Sequence, residues 1–253
     1  MTFSDLHHAE TPLVLPNAWD VPSALAFAEA GFPAIGTTSF GVASSLGRPD
    51  GGRSTKDANL ALAGALRALD VYVSVDIEDG YADDPAEVAE YAAALGVAGI
   101  NIEDSTDEAL ISPARHAAKV TAIKARCPGL FVNARVDTYW LGTEPESTVD
   151  RALAYVDAGA DGVFVPGTTD PEVLRAVTSA VPVPVNVLAN PALSLAELAR
   201  LGVRRVSTGS LPYRAAVRAA TSAAVAVRDG GVPPAAASYP ELQARLVRYS
   251  ANS

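Results

Sequence analysis

The feature that most constrains the fold is the repeated alternation of short apolar runs with alanine-rich stretches of helical periodicity. Apolar, often β-branched runs predict buried strands, and the stretches between them predict amphipathic helices. The predicted strands cover residues 13–15, 34–37, 71–76, 99–102, 130–133, 162–165, 183–187 and 205–207. The predicted helices cover about 22–30, 56–69, 85–95, 113–126, 145–158, 171–179, 195–201 and 212–228. Alternation of this kind is typical of α/β folds with a parallel sheet.

Eight such units in about 230 residues predict a (β/α)₈ TIM-type barrel, whose active site lies at the C-terminal ends of the strands. A doubly wound open sheet is the alternative, but the segment 16–20 after the first strand lacks the glycine-rich turn of dinucleotide-binding folds. We expect the barrel to comprise residues 1–232. Residues 233–253 follow a Gly-Pro break and predict one more amphipathic helix, which packs on this barrel or on a partner subunit.

The stretch 71–81 combines a buried-strand pattern with three carboxylates at its end. On a continuous strand Asp76 and Glu78 would point the same way, and Asp79 would point the opposite way. Converging carboxylates favour a hard cation, Mg²⁺ or alternatively Mn²⁺. The competing interpretation is that these acids only cap the following helix.

Polar residues also follow other predicted strands. They are Thr38, Ser39 and Phe40 after the second, Glu103 and Asp104 after the fourth, Arg135 and Asp137 after the fifth, and Asn186 in the seventh. We expect Asp76, Glu78 and Glu103 to converge on a cation. Thr38, Ser39 and Arg135 would offer donors to a small carboxylate, which arginine can hold through two parallel hydrogen bonds. Alternatively, Glu103 caps a helix, Arg135 pairs with Asp137, and Asn186 satisfies a loop carbonyl.

Charge and cysteine content narrow the class of protein. The chain has 19 Lys and Arg against 29 Asp and Glu, a net charge of −10, which argues against binding to nucleic acid or to an anionic membrane surface. No signal peptide or membrane span is visible. The single cysteine, Cys127, excludes an intramolecular disulfide and favours a cytoplasmic protein.

Five motifs together resemble the isocitrate lyase and phosphoenolpyruvate mutase superfamily. They are TSFGVASSLGRPD at 38–50, VDIEDGY at 75–81, GINIED at 99–104, NARVD at 133–137 and GADGVFV at 159–165. The likeness runs in the same order from about residue 12 to residue 228. It implies a barrel that is often tetrameric and exchanges its terminal helix with a partner, so a homo-oligomer, dimer or tetramer, is expected.

The resemblance also implies a site. Members bind Mg²⁺ and an α-oxo carboxylate, and they make or break a bond to the carbon next to the oxo group through a metal-stabilised enolate. The matching metal ligands are Asp76, Glu78 and Glu103. The matching substrate-binding residues are Thr38, Ser39, Phe40, Asp50, Arg135 and Asn186, of which Asp50 and Arg135 are the catalytic candidates.

Departures from the resemblance affect the expected reaction. Lyases carry a Lys-Lys/Arg-Cys-Gly-His loop shortly after the position of Glu103, whereas residues 105–112 here contain neither Cys nor His. Pro166 and Gly167 stand where many members have a glutamate. The leading interpretation is a Mg²⁺-dependent C–C lyase or decarboxylase-like enzyme acting on a small α-oxo or 2-hydroxy acid. The alternatives are a non-catalytic α-oxo-acid-binding protein and a phosphonopyruvate-type P–C mutase or hydrolase.

Overall fold

A computed structural model of the chain describes residues 1–251. Within them, nine parallel strands form one nearly closed sheet, and two further strands form a small antiparallel hairpin. The strands are β1 Leu13–Leu15, β2 Asn17–Ala18, β3 Ala34–Thr37, β4 Tyr72–Asp76, β5 Gly99–Glu103, β6 Ser105–Thr106, β7 Ala109–Leu110, β8 Phe131–Arg135, β9 Gly162–Phe164, β10 Val185–Leu188 and β11 Val203–Ser207.

The barrel closes through its first strand, which is interrupted at Pro16. The sheet order is β1-β11-β10-β9-β8-β5-β4-β3-β2, so β1 pairs with β11 and β2 pairs with β3. Pro16 has no N–H to donate to a strand ladder, although its carbonyl accepts from Gly36 N at 2.8 Å. The two pieces therefore act as one predicted strand, and the predicted (β/α)₈ barrel is confirmed.

Helices alternate with the barrel strands as predicted. They are α1 Val21–Glu29, α2 Ser39–Ser45, α3 Lys56–Leu66, α4 Pro85–Leu95, α5 Pro113–Arg126, α6 Thr138–Leu141, α7 Thr148–Asp157, α8 Pro171–Ala180, α9 Leu195–Arg200, α10 Leu211–Arg228 and α11 Tyr239–Ser250. Side chains of Asp84, Ser112 and Asp170 cap helices that begin with proline, where the missing N–H costs nothing. The predicted helix 145–158 starts instead as a 3₁₀ turn, Pro145–Ser147, and continues as α7.

The N-terminal end of the barrel is plugged by aromatic rings. A 3₁₀ helix, Asp5–His8, places the His7 ring in a stack on Phe131 at 4.2 Å between centroids, while Phe3 packs edge-on against both rings. Phe3 and His7 are buried. Access to the barrel interior is therefore from the C-terminal ends of the strands.

The last two helices lie outside this core. None of the 18 residues of α10 is buried, and α11 contacts its own barrel through Glu29, which pairs with Arg245 at 2.6 Å and Arg248 at 3.0 Å. Exchange of α11 between subunits and a boundary near residue 232 stay predictions. No helix among residues 1–251 is both long and apolar enough to cross a membrane.

Candidate active site

Two adjoining cavities open at the C-terminal ends of the strands, where the sequence predicts the site. The larger, about 520 Å³, is called here the acidic chamber because six carboxylates line it: Asp50, Glu78, Asp79, Glu103, Asp107 and Glu108. The second, about 400 Å³, is called the inner chamber. Both are lined by Ser39, Asp50, Arg135 and Trp140, so a bound molecule could contact both chambers.

The inner chamber combines a polar floor with an apolar wall. Asp76, Asn101 and Ser207 line it on the strand side, and two arginines, Arg135 and Arg214, also line it. The apolar lining comes from Phe40, Trp140, Phe164, Pro166 and Leu188. A cavity of this size and lining suits a small anionic molecule with a short apolar part.

Asp76, the last residue of β4, is held by its neighbours but is incompletely paired. Its amide donates to Thr37 Oγ1 at 2.9 Å, and its Oδ2 accepts from Ser39 N at 3.2 Å. Its other carboxylate oxygen, Oδ1, is buried without a hydrogen-bond partner. Burial raises the pKa of Asp76, with the charge of Arg135 acting in the opposite direction. A bound cation would satisfy this oxygen and compensate its charge.

Glu78 lines the acidic chamber, but the expectation that it shares a strand face with Asp76 is wrong. The strand ends at Asp76, and Glu78 has a left-handed backbone with φ of +49°, so strand alternation does not apply to it. Its carboxylate accepts from Arg53 N at 2.9 Å and from the Thr55 hydroxyl. Burial raises the pKa of Glu78 despite these hydrogen bonds.

Asp79 joins three loops around the acidic chamber. Its carboxylate accepts from Arg53 Nη2 at 2.5 Å and from Thr106 Oγ1 at 2.7 Å, and Lys119 Nζ lies 3.6 Å away. These contacts tie the segment that carries Asp50 to the end of β4 and to the β6–β7 hairpin. Asp50 itself is exposed and lines both chambers.

Glu103 and Arg135 face each other as register partners on β5 and β8. Arg135 donates through Nη1 to Glu103 and through Nε to Asp137 Oδ1 at 2.5 Å, so the internal pair that the sequence left open is present. Its guanidinium also lies over the Trp140 ring at 5.4 Å. Among the described residues Arg135 Nη2 has no partner, which leaves one donor edge for a ligand. Burial raises the pKa of Glu103, and Arg135 opposes that effect.

The remaining predicted residues fall into two groups. Thr38, Ser39 and Phe40 all line the inner chamber, where Thr38 Oγ1 caps α2 by accepting from Gly41 N at 3.4 Å. Asn186 lines neither chamber. It is buried beside Ser207, to whose Oγ it donates through Nδ2 at 3.0 Å. A direct contact of Asn186 with substrate stays a prediction.

The donor set fits a magnesium ion bound mainly through water. No three His, Cys, Asp or Glu side chains within residues 1–251 form a group that could hold a metal by themselves. Mg²⁺ does not need such a group, because it retains several waters and often takes only one or two carboxylates. The unpartnered Oδ1 of Asp76, with Glu78 and Glu103 in the adjoining chamber, supplies the oxygen ligands that Mg²⁺ prefers.

Several lining residues were not identified from the sequence. Asp107 and Glu108 form the tip of the β6–β7 hairpin, with φ of +49° and +59°, and line the acidic chamber. Trp140 lies on the four-residue helix α6, which is too short for a periodic signal. Asn101 sits inside a predicted strand, where the alternation of β5 with its neighbours could have indicated an inward-facing polar side chain.

A family model described as phosphoenolpyruvate phosphomutase matches residues 3–228. An uncharacterised protein of Mycobacterium tuberculosis is 62% identical over 98% of this chain and 97% of its own length. The 2-methylisocitrate lyase of Salmonella typhimurium is 32% identical over 88% of this chain and 82% of its own. An oxaloacetate decarboxylase of Rhodopseudomonas palustris is 30% identical over 67% and 63%.

Solved structures agree with these matches. A putative lyase/mutase from Burkholderia cenocepacia superposes with a TM-score of 0.88 and 36% identity, covering 97% of this chain and 94% of the other. Phosphonopyruvate hydrolase in complex with oxalate and Mg²⁺ superposes with a TM-score of 0.84 and 27% identity, covering 99% and 98%. Because the family model matches residues 3–228, the whole barrel, the chain belongs to the phosphoenolpyruvate phosphomutase family of the isocitrate lyase and phosphoenolpyruvate mutase superfamily.

Proposed function

We propose that this protein is a Mg²⁺-dependent enzyme that acts on a small α-oxo or 2-hydroxy carboxylic acid as a C–C lyase or decarboxylase-like enzyme. It would break or form a bond to the carbon next to the oxo group. The observation that carries the proposal is the buried, unpartnered Oδ1 of Asp76, a residue that lines the same cavity as Arg135. The Asp76 carboxylate could bind a metal ion, and the Arg135 guanidinium could bind the carboxylate of the acid. The two groups together therefore suit a complex of a metal ion with a small carboxylic acid.

In this proposal Asp76, Glu78 and Glu103 hold the metal, directly or through water, and Mn²⁺ could replace Mg²⁺. When bound, the cation supplies positive charge that stabilises negative charge developing on the oxo oxygen of the substrate. The three carboxylates need no large movement, since Glu78 and Glu103 already line one chamber and Asp76 lines the adjoining one.

The chain's own groups would hold the acid and move the proton. Arg135 and the segment Thr38–Phe40 line the inner chamber, and they would bind the carboxylate, Arg135 through its unpartnered Nη2. Asp50 lines both chambers on an exposed segment, and it is proposed as the proton-transfer group. Asn186, which lies buried beside Ser207, is also proposed to bind the substrate.

The names of the relatives favour C–C bond chemistry without choosing one reaction. One relative is a 2-methylisocitrate lyase and another is an oxaloacetate decarboxylase. Phosphonopyruvate hydrolase is a structural neighbour, so P–C bond cleavage is the alternative reaction. It is distinguished by release of inorganic phosphate from phosphonopyruvate.

A specific observation favours one further candidate, a non-catalytic α-oxo-acid-binding protein. The β6–β7 hairpin occupies the place of the lyase cysteine loop, and no Cys or His lines either chamber in the described part of the chain. Such a protein would still bind the metal and the carboxylate of the oxo acid, but it would lack a strong general acid.

The deciding experiment titrates the purified protein with pyruvate, oxaloacetate, 2-oxoglutarate and phosphonopyruvate, with and without Mg²⁺. Heat of binding and product formation are followed together. Metal-dependent turnover of one acid supports the enzyme, and the product identifies the bond that is broken. Metal-dependent binding without any product supports the binding protein. No binding of any acid in the presence of Mg²⁺ or Mn²⁺ contradicts both.

We further infer that the protein is a cytoplasmic homo-oligomer, a dimer or a tetramer. The single cysteine is compatible with a reducing compartment, and α10 presents an 18-residue helix without one buried residue. A helix with so little contact to its own barrel is suited to contact another subunit.

A further inference from the structure

Arg205 crosses the interior of the barrel directly beneath the inner chamber. It starts on β11, donates through Nε to Ser207 Oγ at 3.3 Å, and donates through Nη2 to Asn101 Oδ1 at 3.0 Å. Asn101 lies on β5, four strands away in the sheet and therefore on the opposite side of the eight-stranded barrel. Both partners of Arg205 line the inner chamber.

This arginine is unusual in its surroundings. It is 1% exposed, forms no ion pair among the described residues, and has a buried Nη1 without a hydrogen-bond partner. Burial lowers the pKa of Arg205 to about 9, and only the charge of Asp76 acts in the opposite direction. A buried cation without a partner carboxylate is costly, so the fold retains a destabilising group at this position. Such costs are often associated with functional sites.

The contact with Arg205 determines how the Asn101 amide is oriented. Arginine can only donate hydrogen bonds, so the Asn101 atom that faces it must be the carbonyl oxygen. The same oxygen accepts from Asn133 Nδ2 at 2.8 Å. With Oδ1 occupied by two donors, Asn101 Nδ2 points elsewhere, and it has no partner among the described residues. Asn101 is the register neighbour of Asp76 on the adjacent strand.

We propose that Asn101 is a substrate-contacting residue, whose Nδ2 donates to a carboxylate or oxo oxygen of the acid bound in the inner chamber. Arg205 is the positioning residue that fixes this amide from beneath and places positive charge under an anionic ligand. The inference rests on the proposed function, since it requires an oxo acid in this chamber. Asn101 would thus add a hydrogen-bond donor on the cavity floor to the contacts that Arg135 and the Thr38–Phe40 segment make with the acid.

The test uses oxalate as the probe, titrated by calorimetry into the full-length protein with Mg²⁺. Asn101→Asp keeps an oxygen towards Arg205 and Asn133 but replaces the Nδ2 donor by a second acceptor. We expect oxalate to bind at least tenfold more weakly, without a fall in the unfolding temperature, because the new carboxylate lies within reach of the Arg205 guanidinium. Ser74→Ala is the matched control, since Ser74 is buried on β4 and lines neither chamber; it should bind oxalate as the original protein does.

Arg205→Lys keeps the charge but loses the planar fork, so it should weaken oxalate binding several-fold. Because Arg205 acts through Asn101, adding this substitution to Asn101→Asp should cause little further loss. If Arg205→Lys does not fold, Arg205→Gln takes its place, because glutamine keeps a side-chain donor. It is then measured alone and together with Asn101→Asp in the same way.

Each outcome has one meaning. Normal oxalate binding by Asn101→Asp overturns the substrate contact. Fully multiplicative losses in the double variant overturn the positioning role of Arg205. Failure of the original protein to bind oxalate with Mg²⁺ contradicts the proposed function itself, and this inference with it. Oxalate binding by the unsubstituted protein therefore distinguishes a failure of the proposed function from a failure of the roles assigned to Asn101 and Arg205.

Discussion

At the scale of single residues, Asp76 is the group on which the proposed metal site depends most. Its Oδ2 accepts from the Ser39 amide, whereas Oδ1 is buried and unpartnered. Burial raises the pKa of Asp76 above its value in the unfolded chain. An ionised carboxylate with a raised folded-state pKa destabilises the folded state at pH values above the unfolded pKa. The metal-free fold therefore carries a cost at Asp76 that a cation would remove.

We predict opposite effects of Asp76→Asn on binding and on stability. Loss of a carboxylate should weaken Mg²⁺ binding at least tenfold, because a hard cation prefers charged oxygen ligands. Without metal, the neutral amide removes the buried charge, and the free energy of unfolding should rise by on the order of 1 kcal/mol. Calorimetric Mg²⁺ titration and chemical denaturation measure the two effects.

Asp161→Asn provides the control for Asp76→Asn. Asp161 precedes β9, away from the strand ends that line the chambers, and pairs with Lys124 at 2.7 Å. Its substitution should lower stability slightly and leave Mg²⁺ binding unchanged. Normal Mg²⁺ binding by Asp76→Asn would remove Asp76 from the proposed ligand set.

Prediction from sequence succeeded for residues whose position follows from the strand pattern. Asp76, Glu103 and Arg135 end apolar runs, so the strand ends bring them to one rim. Glu78 was misjudged because its left-handed backbone breaks the alternation after Asp76. Arg205 was not identified as a candidate, because only the closed barrel brings it into contact with Asn101 on the opposite side.

At the scale of elements, too, features that follow from the local sequence pattern were predicted, and features that depend on tertiary contacts were not. The alternating strands and helices of the barrel were predicted, whereas α2, α6 and the β6–β7 hairpin were not, since these short elements stand outside that alternation. Short elements depend on contacts made elsewhere in the chain. Thr106 of the hairpin, for example, donates to Asp79 at 2.7 Å, a contact between separate loops. These short elements line the candidate site, so the rim was harder to predict than the barrel.

The N-terminal plug is another short element with a measurable consequence. Burial lowers the pKa of His7 to about 3, and the charge of Arg205 contributes in the same direction. The folded chain therefore keeps His7 neutral, while the unfolded chain protonates it below its usual pKa of about 6.5. Because the unfolded state then binds more protons, stability should fall as the pH falls below 6.5.

We predict that His7 accounts for about 2 kcal/mol of the stability lost between pH 7 and pH 5, at about 1.4 kcal/mol per pH unit. His7→Phe keeps an aromatic ring on Phe131. Its free energy of unfolding should fall by about 2 kcal/mol less than that of the original protein between pH 7 and pH 5. Denaturant unfolding at several pH values measures the difference. His8→Phe is the control, since His8 is exposed and should leave the slope unchanged. Parallel slopes for His7→Phe and the original protein would contradict the assignment.

At the scale of the whole molecule, α10 and α11 present apolar surface that their own barrel does not cover. Val217 and Val225 on α10 are 50% and 40% exposed, and Leu242 and Leu246 on α11 are 40% and 38% exposed. Large patches of exposed apolar surface mark interaction sites in soluble domains. The ion pairs of Glu29 with Arg245 and Arg248 hold α11 on the barrel but do not cover α10.

We therefore predict that the protein is a homo-oligomer whose interface includes α10. Light scattering after size-exclusion chromatography should give a dimer or tetramer mass. Val217→Glu should shift this mass towards the monomer, because a charge placed at a buried apolar interface is left unpaired. Val232→Glu is a matched control on a 93% exposed residue beyond α10 and should leave the mass unchanged. A monomeric original protein, or an oligomer unaffected by Val217→Glu, would show that α10 does not form the interface.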